Sequence, residues 1–280
     1  MRSEAPELAE VRRARILELA LRDGSVRVSD LSSRFGVTPE TIRREINRLV
    51  RRGQLVRVYG GAVVPSPPLP GELPFEARAE RQRVEKLAIA AAAARWVEDG
   101  EVVALDASTT ALALGLELRA REPRALVVVT NGAQLPLRLG DHEGITVVCT
   151  GGTLRGRSLS YIGPQCLRAI EGFRVRKAFI SCQGFTLADG PSEAGEAEAE
   201  VKQALIRSAE EAFLLIDGTK WGRNSLVPVC PAAALRHVIT DRPPPAADRQ
   251  QLDRVGVALH LADPVRTGVL ATGGRAWGGV

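Results

Sequence analysis

The clearest hydrophobic pattern of the chain lies between residues 28 and 63. Apolar residues recur there at the spacing of a helix that packs on one side, namely Ile42, Ile46, Leu49 and Val50. Thr38 is a good N-cap for this helix, and Pro39 suits its first position, where a missing N–H costs nothing. The pattern therefore predicts a helix that begins at residue 39 and buries one stripe of side chains.

The opposite face of this helix is polar and basic. On a wheel of 100° per residue it carries Glu40, Arg44, Asn47, Arg48 and Arg51, with Arg43 beside it and Thr41 near its leading edge. A short apolar helix and a glycine turn at residues 35–37 precede it, which completes a helix-turn-helix pattern. A solvated amphipathic helix is the plain alternative, but the arginines all face away from the apolar stripe. The pattern favours a helix that enters the major groove of DNA.

A strand pair follows the basic helix. Residues 54–59 alternate as a strand, and Gly60 and Gly61 allow a turn into residues 62–64. This pattern predicts a wing, from which Arg57 reaches a phosphate or the minor groove. The predicted DNA-binding residues are Thr38, Glu40, Thr41, Arg43, Arg44, Asn47, Arg48 and Arg57. With a first helix over residues 9–22, residues 1–64 form a predicted winged helix-turn-helix domain.

The rest of the chain has a different pattern. Five prolines in residues 65–74 predict a semi-rigid linker, and an α/β domain follows over residues 75–262. It opens with one long predicted helix over residues 75–97. Continuous apolar runs follow at 102–105, 126–129, 145–148, 178–180, 213–216 and 238–239, with helical patterns near 109–118, 133–139, 163–172, 194–209 and 246–255. Such alternation predicts a mainly parallel sheet covered on both faces. Residues 263–280 are Gly-rich and predicted to be disordered.

Charge separates the two domains. Residues 1–64 contain 13 arginines and 8 acidic residues, whereas residues 65–280 contain 25 basic and 25 acidic residues. The whole positive excess therefore lies in the helix-turn-helix segment, as DNA binding requires. Four cysteines without metal-ligand spacing predict buried free thiols, and the sequence predicts no metal and no cofactor. No signal peptide and no apolar run of spanning length is found, which predicts a cytoplasmic protein without a membrane partner.

Polar residues follow three successive predicted strands. In open α/β sheets ligands bind at the carboxyl ends of strands. The junctions contain Asp106, Ser108, Thr109 and Thr110, then Thr130 and Asn131, then Gly151 and Gly152. The first junction opens a helix with three hydroxyls and suits a phosphate, although plain N-capping by Ser108 explains the same residues equally well.

Two lysines add to these junctions, in a chain with 34 Arg but 4 Lys. Lys202 follows Glu198 by four residues, so a solvated helix-surface ion pair is the alternative to a ligand contact. Lys220 shares a strand-end loop with Asp217 and Thr219, a combination that suits the hydroxyls and phosphate of a polyol phosphate.

Residues 38–45, TPETIRRE, and 57–62, RVYGGA, resemble the N-terminal domain of the DeoR family of bacterial transcriptional repressors. Residues 106–110, 130–132, 151–152, 181–184, 201–202 and 217–222 resemble the family's C-terminal sugar-phosphate sensor domain. The resemblance covers about residues 8–262. It implies a fold similar to ribose-phosphate isomerases, an operator DNA partner and a phosphorylated sugar effector.

The chain departs from the family pattern at several positions. The family usually has Asp at the position of Glu45, His at that of Tyr59, and Ser or Thr at that of Arg27. Ser29 is expected to cap the first motif helix one turn later. The isomerases, and many family members, have an Asp in the loop at residues 181–184, where this chain has Gln183, which cannot act as a general base.

The sequence predicts a DNA-binding repressor of sugar-metabolism genes that is not an enzyme. A phosphorylated sugar or related metabolite is expected to control its operator binding, and the protein is expected to form a homo-oligomer, a dimer or tetramer. The predicted effector-binding residues are Asp106, Ser108, Thr109, Thr110, Thr130, Asn131, Gly151, Gly152, Gln183, Lys202, Asp217 and Lys220. The alternative is a sugar-phosphate isomerase with Asp106, Asp217 or Glu198 as its base. That alternative leaves the basic N-terminal unit unexplained.

Overall fold

The computed structural model describes residues 9–23, 25–63 and 73–263. The chain divides into two compact units, Met1–Pro68 and Leu69–Val280. Most of the predicted linker, residues 65–72, and the predicted tail after Asp263 lie outside the described residues.

The N-terminal unit contains three helices and a small antiparallel sheet. Its elements are α1 (Ala9–Asp23), β1 (Ser25–Arg27), α2 (Val28–Phe35), α3 (Pro39–Arg51), β2 (Val56–Val58) and β3 (Gly61–Val63). The sheet has the order β1-β3-β2, and its core includes Ile16, Leu31, Ile42, Ile46, Leu49 and Leu55. Gly61 is required at the centre of this sheet because a Cβ there would lie 2.0 Å from the carbonyl oxygen of Val26. The predicted helix-turn-helix and wing are thus both present.

One helix start in this unit differs from the prediction. Helix α2 begins at Val28, and Arg27 precedes it without a side-chain capping bond. Ser29 lies inside the first turn, where its hydroxyl bonds Asp30 at 2.8 Å, so the predicted later cap is wrong. Strand β1 was not predicted, because three residues are too few to show an alternating pattern.

The larger unit contains seven helices and twelve strands among its described residues. The first half comprises α4 (Phe75–Glu80), α5 (Arg83–Ala94), β4 (Val102–Leu105), α6 (Thr109–Ala120), β5 (Leu126–Thr130), α7 (Gln134–Leu139), β6 (Ile145–Cys149), β7 (Thr153–Arg155), β8 (Ser160–Ile162) and α8 (Pro164–Glu171). The second half comprises β9 (Val175–Ile180), β10 (Gly184–Thr186), β11 (Gly190–Glu193), α9 (Glu196–Ser208), β12 (Ala209–Leu215), β13 (Val227–Pro228), β14 (His237–Thr240), α10 (Ala246–Arg254) and β15 (Ala258–Leu261).

Seven of these strands form one sheet, in the order β15-β14-β12-β9-β4-β5-β6. Every neighbouring pair is parallel, which confirms the predicted parallel sheet. Successive residues of β4 pack in different cores, with Val103 and Leu105 among α5 and α6, and Ala104 among α8 and α9. Helices therefore cover both faces, which explains why the strands are continuously apolar.

The predicted long helix over residues 75–97 is wrong, because the chain breaks between α4 and α5. Gln82 adopts φ 49° and ψ 43°, a left-handed conformation that is rare for a residue other than glycine. The Lys86 ammonium holds the break by donating to the backbone carbonyls of Arg78 and Arg81. No proline or glycine marks this break, so the sequence pattern continues through it.

Cysteine burial differs from the prediction at two positions, Cys149 and Cys230. Cys166 and Cys182 are buried free thiols and Cys230 is half-buried, but Cys149 is exposed because it ends the edge strand β6. Within the described ranges, no helix has the length and hydrophobicity needed to cross a bilayer.

Candidate DNA-binding face and effector cavity

Helix α3 presents the predicted basic face to solvent. Thr38 caps the helix by accepting the Thr41 backbone N–H at 3.3 Å, and Pro39 occupies its first position. Among the predicted DNA-binding residues Thr41 is half-buried, and the others are exposed: Thr38, Glu40, Arg43, Arg44, Asn47, Arg48 and Arg57. The structure therefore brings all eight to the surface of one unit, seven of them on or directly before α3.

The polar side chains on this face contact one another. Glu40 lies 3.5 Å from Arg43 and 3.6 Å from Arg44. Arg57 on the wing donates to the Asn47 side-chain oxygen, so the wing and α3 present adjoining polar groups. Such exposed pairs are weak and can exchange their partners for phosphate oxygens or base edges.

Glu45 does not belong to this face. Its carboxylate is buried and accepts from the Nε of Arg12 at 2.9 Å and from its Nη2 at 2.7 Å. This pair joins α1 to α3, and no periodic pattern indicates it because the two residues are 33 positions apart. Tyr59 is fully exposed at the tip of the wing, and the sequence predicted no role for it.

A cavity of about 280 Å³ lies in the larger unit, at the carboxyl ends of β4, β5, β9 and β12. Eight predicted effector-binding residues line it: Asp106, Ser108, Thr109, Asn131, Gln183, Lys202, Asp217 and Lys220. Parallel strands bring these residues to one edge of the sheet although 114 positions separate the first from the last. The volume suits a small metabolite.

The structure does not bring the other four predicted residues to this cavity. Thr110 is buried within α6, and Thr130 accepts the Gly132 N–H at 2.9 Å inside the sheet. Gly151 and Gly152 follow β6, which lies at the sheet edge beyond β5. A Cβ on Gly152 would lie 2.6 Å from the Ile162 carbonyl oxygen, so this glycine permits close packing of protein backbone rather than approach of a ligand.

Lys202 lies at the centre of a buried ion cluster. Its ammonium lies 2.5 Å from Asp106, 2.6 Å from the Ser181 carbonyl oxygen and 3.0 Å from Glu193. The alternative surface pair with Glu198 does not form, and Glu198 instead pairs with Arg155. Lys202 therefore joins α9 to the ends of β4, β9 and β11 and fixes the floor of the cavity.

One lysine between two buried carboxylates affects them differently. Burial would raise the pKa of Asp106, but the Lys202 ammonium and N–H donors from Ser108 and Ser181 outweigh it and hold that pKa below its usual value. For Glu193 burial prevails over Lys202, and its pKa is raised. Asp106 is thus a bound carboxylate with three donors, a poor candidate for a general base.

The first strand end combines both predicted roles. The hydroxyl of Ser108 accepts the Ala111 N–H at 3.1 Å and caps α6, as in the plain alternative. Ser108 and Thr109 also line the cavity, beside the positive end of the α6 dipole. N-capping and cavity lining are therefore compatible at this position.

The loop after β12 provides a second group of polar side chains. Lys220 donates to the Ser181 hydroxyl at 2.8 Å and lies 3.9 Å from Asp217. The Asp217 carboxylate in turn accepts the Thr219 N–H at 3.1 Å and the Thr219 hydroxyl. The Lys220 ammonium therefore retains capacity for a further acceptor, since it has three donors.

Several cavity residues were missed by the sequence analysis. Arg81 and Gln82 lie in the break between α4 and α5, Arg78 and Lys86 lie in the helix turns beside it, and Arg223 comes from the loop after β12. The helical pattern of residues 75–97 hid the first four. The charge pattern contained a signal, because residues 78–86 contain four basic residues in the otherwise neutral part of the chain.

Two family profiles match the chain. The DeoR-like helix-turn-helix domain matches residues 12–67, and the DeoR C-terminal sensor domain matches residues 81–242. The uncharacterized HTH-type transcriptional regulator YulB of Bacillus subtilis (strain 168) is 37% identical over 84% of this chain and 89% of its own length. The glycerol-3-phosphate regulon repressor of Escherichia coli (strain K12) is 30% identical over 88% of this chain and 96% of its own.

Among solved structures, ribose 5-phosphate isomerase A from Methanocaldococcus jannaschii matches 50% of this chain and 55% of its own, with 18% identity and a TM-score of 0.38. A likeness of this size says nothing about activity. The relatives with higher identity are transcriptional regulators, which excludes the isomerase alternative. Both units, each matched by its own profile, identify the chain as a member of the DeoR family of DNA-binding transcriptional regulators.

Proposed function

We propose that this regulator represses genes of sugar metabolism and that a phosphorylated sugar or related metabolite controls its affinity for the operator. Residues 1–64 would bind the operator and residues 75–262 the effector, joined by the linker at 65–74. A relative that regulates the glycerol-3-phosphate regulon supports this class of effector. The protein would act in the cytoplasm, where operator DNA and metabolites meet.

The composition of the cavity carries the proposal. Basic side chains suited to a phosphate, including Arg81 and Lys220, line the same cavity as the polar side chains of Ser158, Asn131 and Gln183. Asn131 is buried, and its Oδ1 has no partner among the described residues, so a ligand hydroxyl would satisfy it. A phosphate joined to a hydroxyl-rich body matches both groups.

The proposal includes a homo-oligomer. A single helix-turn-helix contacts few base pairs, and two half-sites bound together multiply its affinity. The effector must bind the DNA-competent and incompetent states with different affinity, because otherwise it shifts nothing.

Replacement of Arg44 by alanine should weaken operator binding by about 1–3 kcal/mol if the residue reads a base edge. Its side chain is 78% exposed on the polar face of α3, and within the protein the replacement removes a weak ion pair with Glu40. Band-shift titration with DNA from the promoter region of its own gene measures the effect. The matched control is Arg168→Ala, which removes an exposed arginine of the larger unit. Equal affinities of the two variants would count against α3 as the reading helix.

Replacement of Lys220 by alanine should abolish the response to effector and leave operator binding intact. A thermal-shift panel of sugar phosphates first identifies a compound that stabilises the wild type. Band shifts with and without that compound then compare Lys220→Ala with Arg207→Ala, an exposed α9 control. Normal release of DNA by Lys220→Ala would remove this residue from the site. A panel in which no sugar phosphate stabilises the wild type would refute the proposed effector class.

A further inference from the structure

The break between α4 and α5 concentrates positive charge at the cavity. Lys86 is buried there, and it interacts electrostatically with Lys220, Arg78 and Arg81, with Asp217 as the opposing carboxylate. Burial, followed by the repulsion of Lys220, lowers the pKa of Lys86 to about 8. Four basic groups beside one carboxylate are an arrangement that a bound anion would stabilise.

Arg78 has an unused donor in this cluster. Its Nη2 donates weakly to the Ser158 carbonyl oxygen at 3.4 Å, and its guanidinium carbon lies 5.6 Å from the centre of the Phe75 ring. Its Nε is buried without a hydrogen-bond partner within the described part of the chain. A buried donor left without a partner is costly, and such groups often bind a ligand or water.

The backbone of the break is built around the same residues. Gln82 holds an unfavourable left-handed conformation, and strain of this kind clusters at ligand-binding sites. Lys86 compensates the break by donating to the carbonyls of Arg78 and Arg81. The side chain of Arg81 remains exposed and lines the cavity. The break thereby presents two guanidinium groups, the side chains best suited to bind phosphate through paired hydrogen bonds.

We propose that Arg78 and Arg81 at the helix break bind the phosphate of the effector, with Lys220 from the loop after β12 as the third basic group. This assignment rests on the proposed function and adds the position of the phosphate. The body of the effector then extends toward Asn131, Gln183 and Ser108 on the other strand ends.

The test compares Arg81→Gln with Arg83→Gln in the full chain. Both changes remove one arginine from the same segment, but Arg83 does not line the cavity and only approaches Glu80 at 3.9 Å. The probes are glycerol 3-phosphate, ribose 5-phosphate and glucose 6-phosphate, each beside its unphosphorylated counterpart, and inorganic phosphate. Calorimetric titration of the probe that stabilises the wild type gives the affinity of each variant.

The expected result is a loss of at least tenfold in affinity for Arg81→Gln and less than twofold for Arg83→Gln. Melting curves confirm that both variants are folded, which is expected because Arg81 is exposed. Equal affinity of Arg81→Gln and wild type would overturn the assignment, whereas Lys220→Ala could still lose binding and preserve the proposed function. If no phosphorylated probe binds the wild type, both proposals fail.

Proton uptake is an independent readout. A phosphate bound beside Arg78, Arg81, Lys220 and Asp217 should raise the pKa of Lys86 above about 8, so binding at pH 8 should take up protons. Titrations in two buffers of different ionisation enthalpy measure this uptake. A purely structural role of the break predicts no uptake, and its absence with a bound probe would place the phosphate elsewhere.

Discussion

Replacement of Lys202 by methionine is expected to lower the free energy of unfolding of the larger unit by about 3–5 kcal/mol, the usual cost of breaking a buried ion pair. The change leaves Asp106 and Glu193 as buried carboxylates without their shared cation. It also removes the bond to the Ser181 carbonyl oxygen. The cavity floor should loosen with it, so the effector response should be lost together with stability.

Urea unfolding followed by tryptophan fluorescence measures this effect, since all three tryptophans lie at or after residue 96, outside the N-terminal unit. The double variant Lys202→Met with Asp106→Asn is the matched control. It removes a carboxylate together with the ammonium and should recover part of the lost stability. If the free energy of unfolding of Lys202→Met lies within about 0.5 kcal/mol of the wild-type value, the range of ordinary surface changes, then the ion cluster contributes little to stability.

The pH dependence of the two proteins should also differ. In the wild type the pKa of Asp106 is below its unfolded value, so its contribution is present above that unfolded value and is lost as the pH falls through the folded pKa. Without Lys202, burial should raise the folded pKa of Asp106 instead. The deficit of Lys202→Met should then be largest near neutral pH and shrink in acid, as both carboxylates take up protons.

Replacement of Arg12 by methionine should destabilise the N-terminal unit by a similar amount, about 3–5 kcal/mol. Arg12 is 6% exposed and Glu45 4% exposed, so the carboxylate that remains would be buried without a cation. Domains of this size have small cores and little stability to spare. Operator binding should therefore be lost, while the tryptophan-monitored unfolding of the larger unit stays unchanged.

Limited proteolysis and band shifts test this result. Arg15→Met is the control, because Arg15 is an exposed arginine on the same helix and its loss should change stability by less than about 0.5 kcal/mol. The variant Arg12→Met with Glu45→Leu removes both charges and should restore much of the fold. Normal operator binding by Arg12→Met alone would mean that the pair contributes little.

The Lys202–Asp106 and Arg12–Glu45 ion pairs could not be predicted from the sequence, whereas local structure could. The capping of α3 by Thr38 and the apolar run of β4 are local features, and local features follow from spacing and side-chain chemistry. The parallel sheet and the convergence of strand ends followed from them by topology. The pairing of Lys202 with Asp106 could not be predicted, because the two residues are 96 positions apart and Glu198 lies nearer to Lys202 in the sequence.

The same limit explains the errors at the cavity. Gly152 lies in a loop with the composition of a ligand-binding loop. The Ile162 carbonyl oxygen of a neighbouring strand occupies the place where a Cβ on Gly152 would lie. Gln82 lies in a stretch of good helix formers, but it is left-handed, and Lys86 donates to the carbonyls of Arg78 and Arg81 at the break. Tertiary contacts of this kind override local propensity and leave no mark in the periodicity.

The location of the helix break has a practical consequence for building hybrid regulators. Leu73, Arg78 and Arg81 line the cavity, although they lie at the very start of the larger unit in the sequence. A chimera that joined the DNA-binding domain of another protein to this chain after residue 82 would lack part of the surface that binds the ligand. The splice should therefore fall before residue 73, and hybrids cut on either side of that point should differ in whether they respond to an inducer at all.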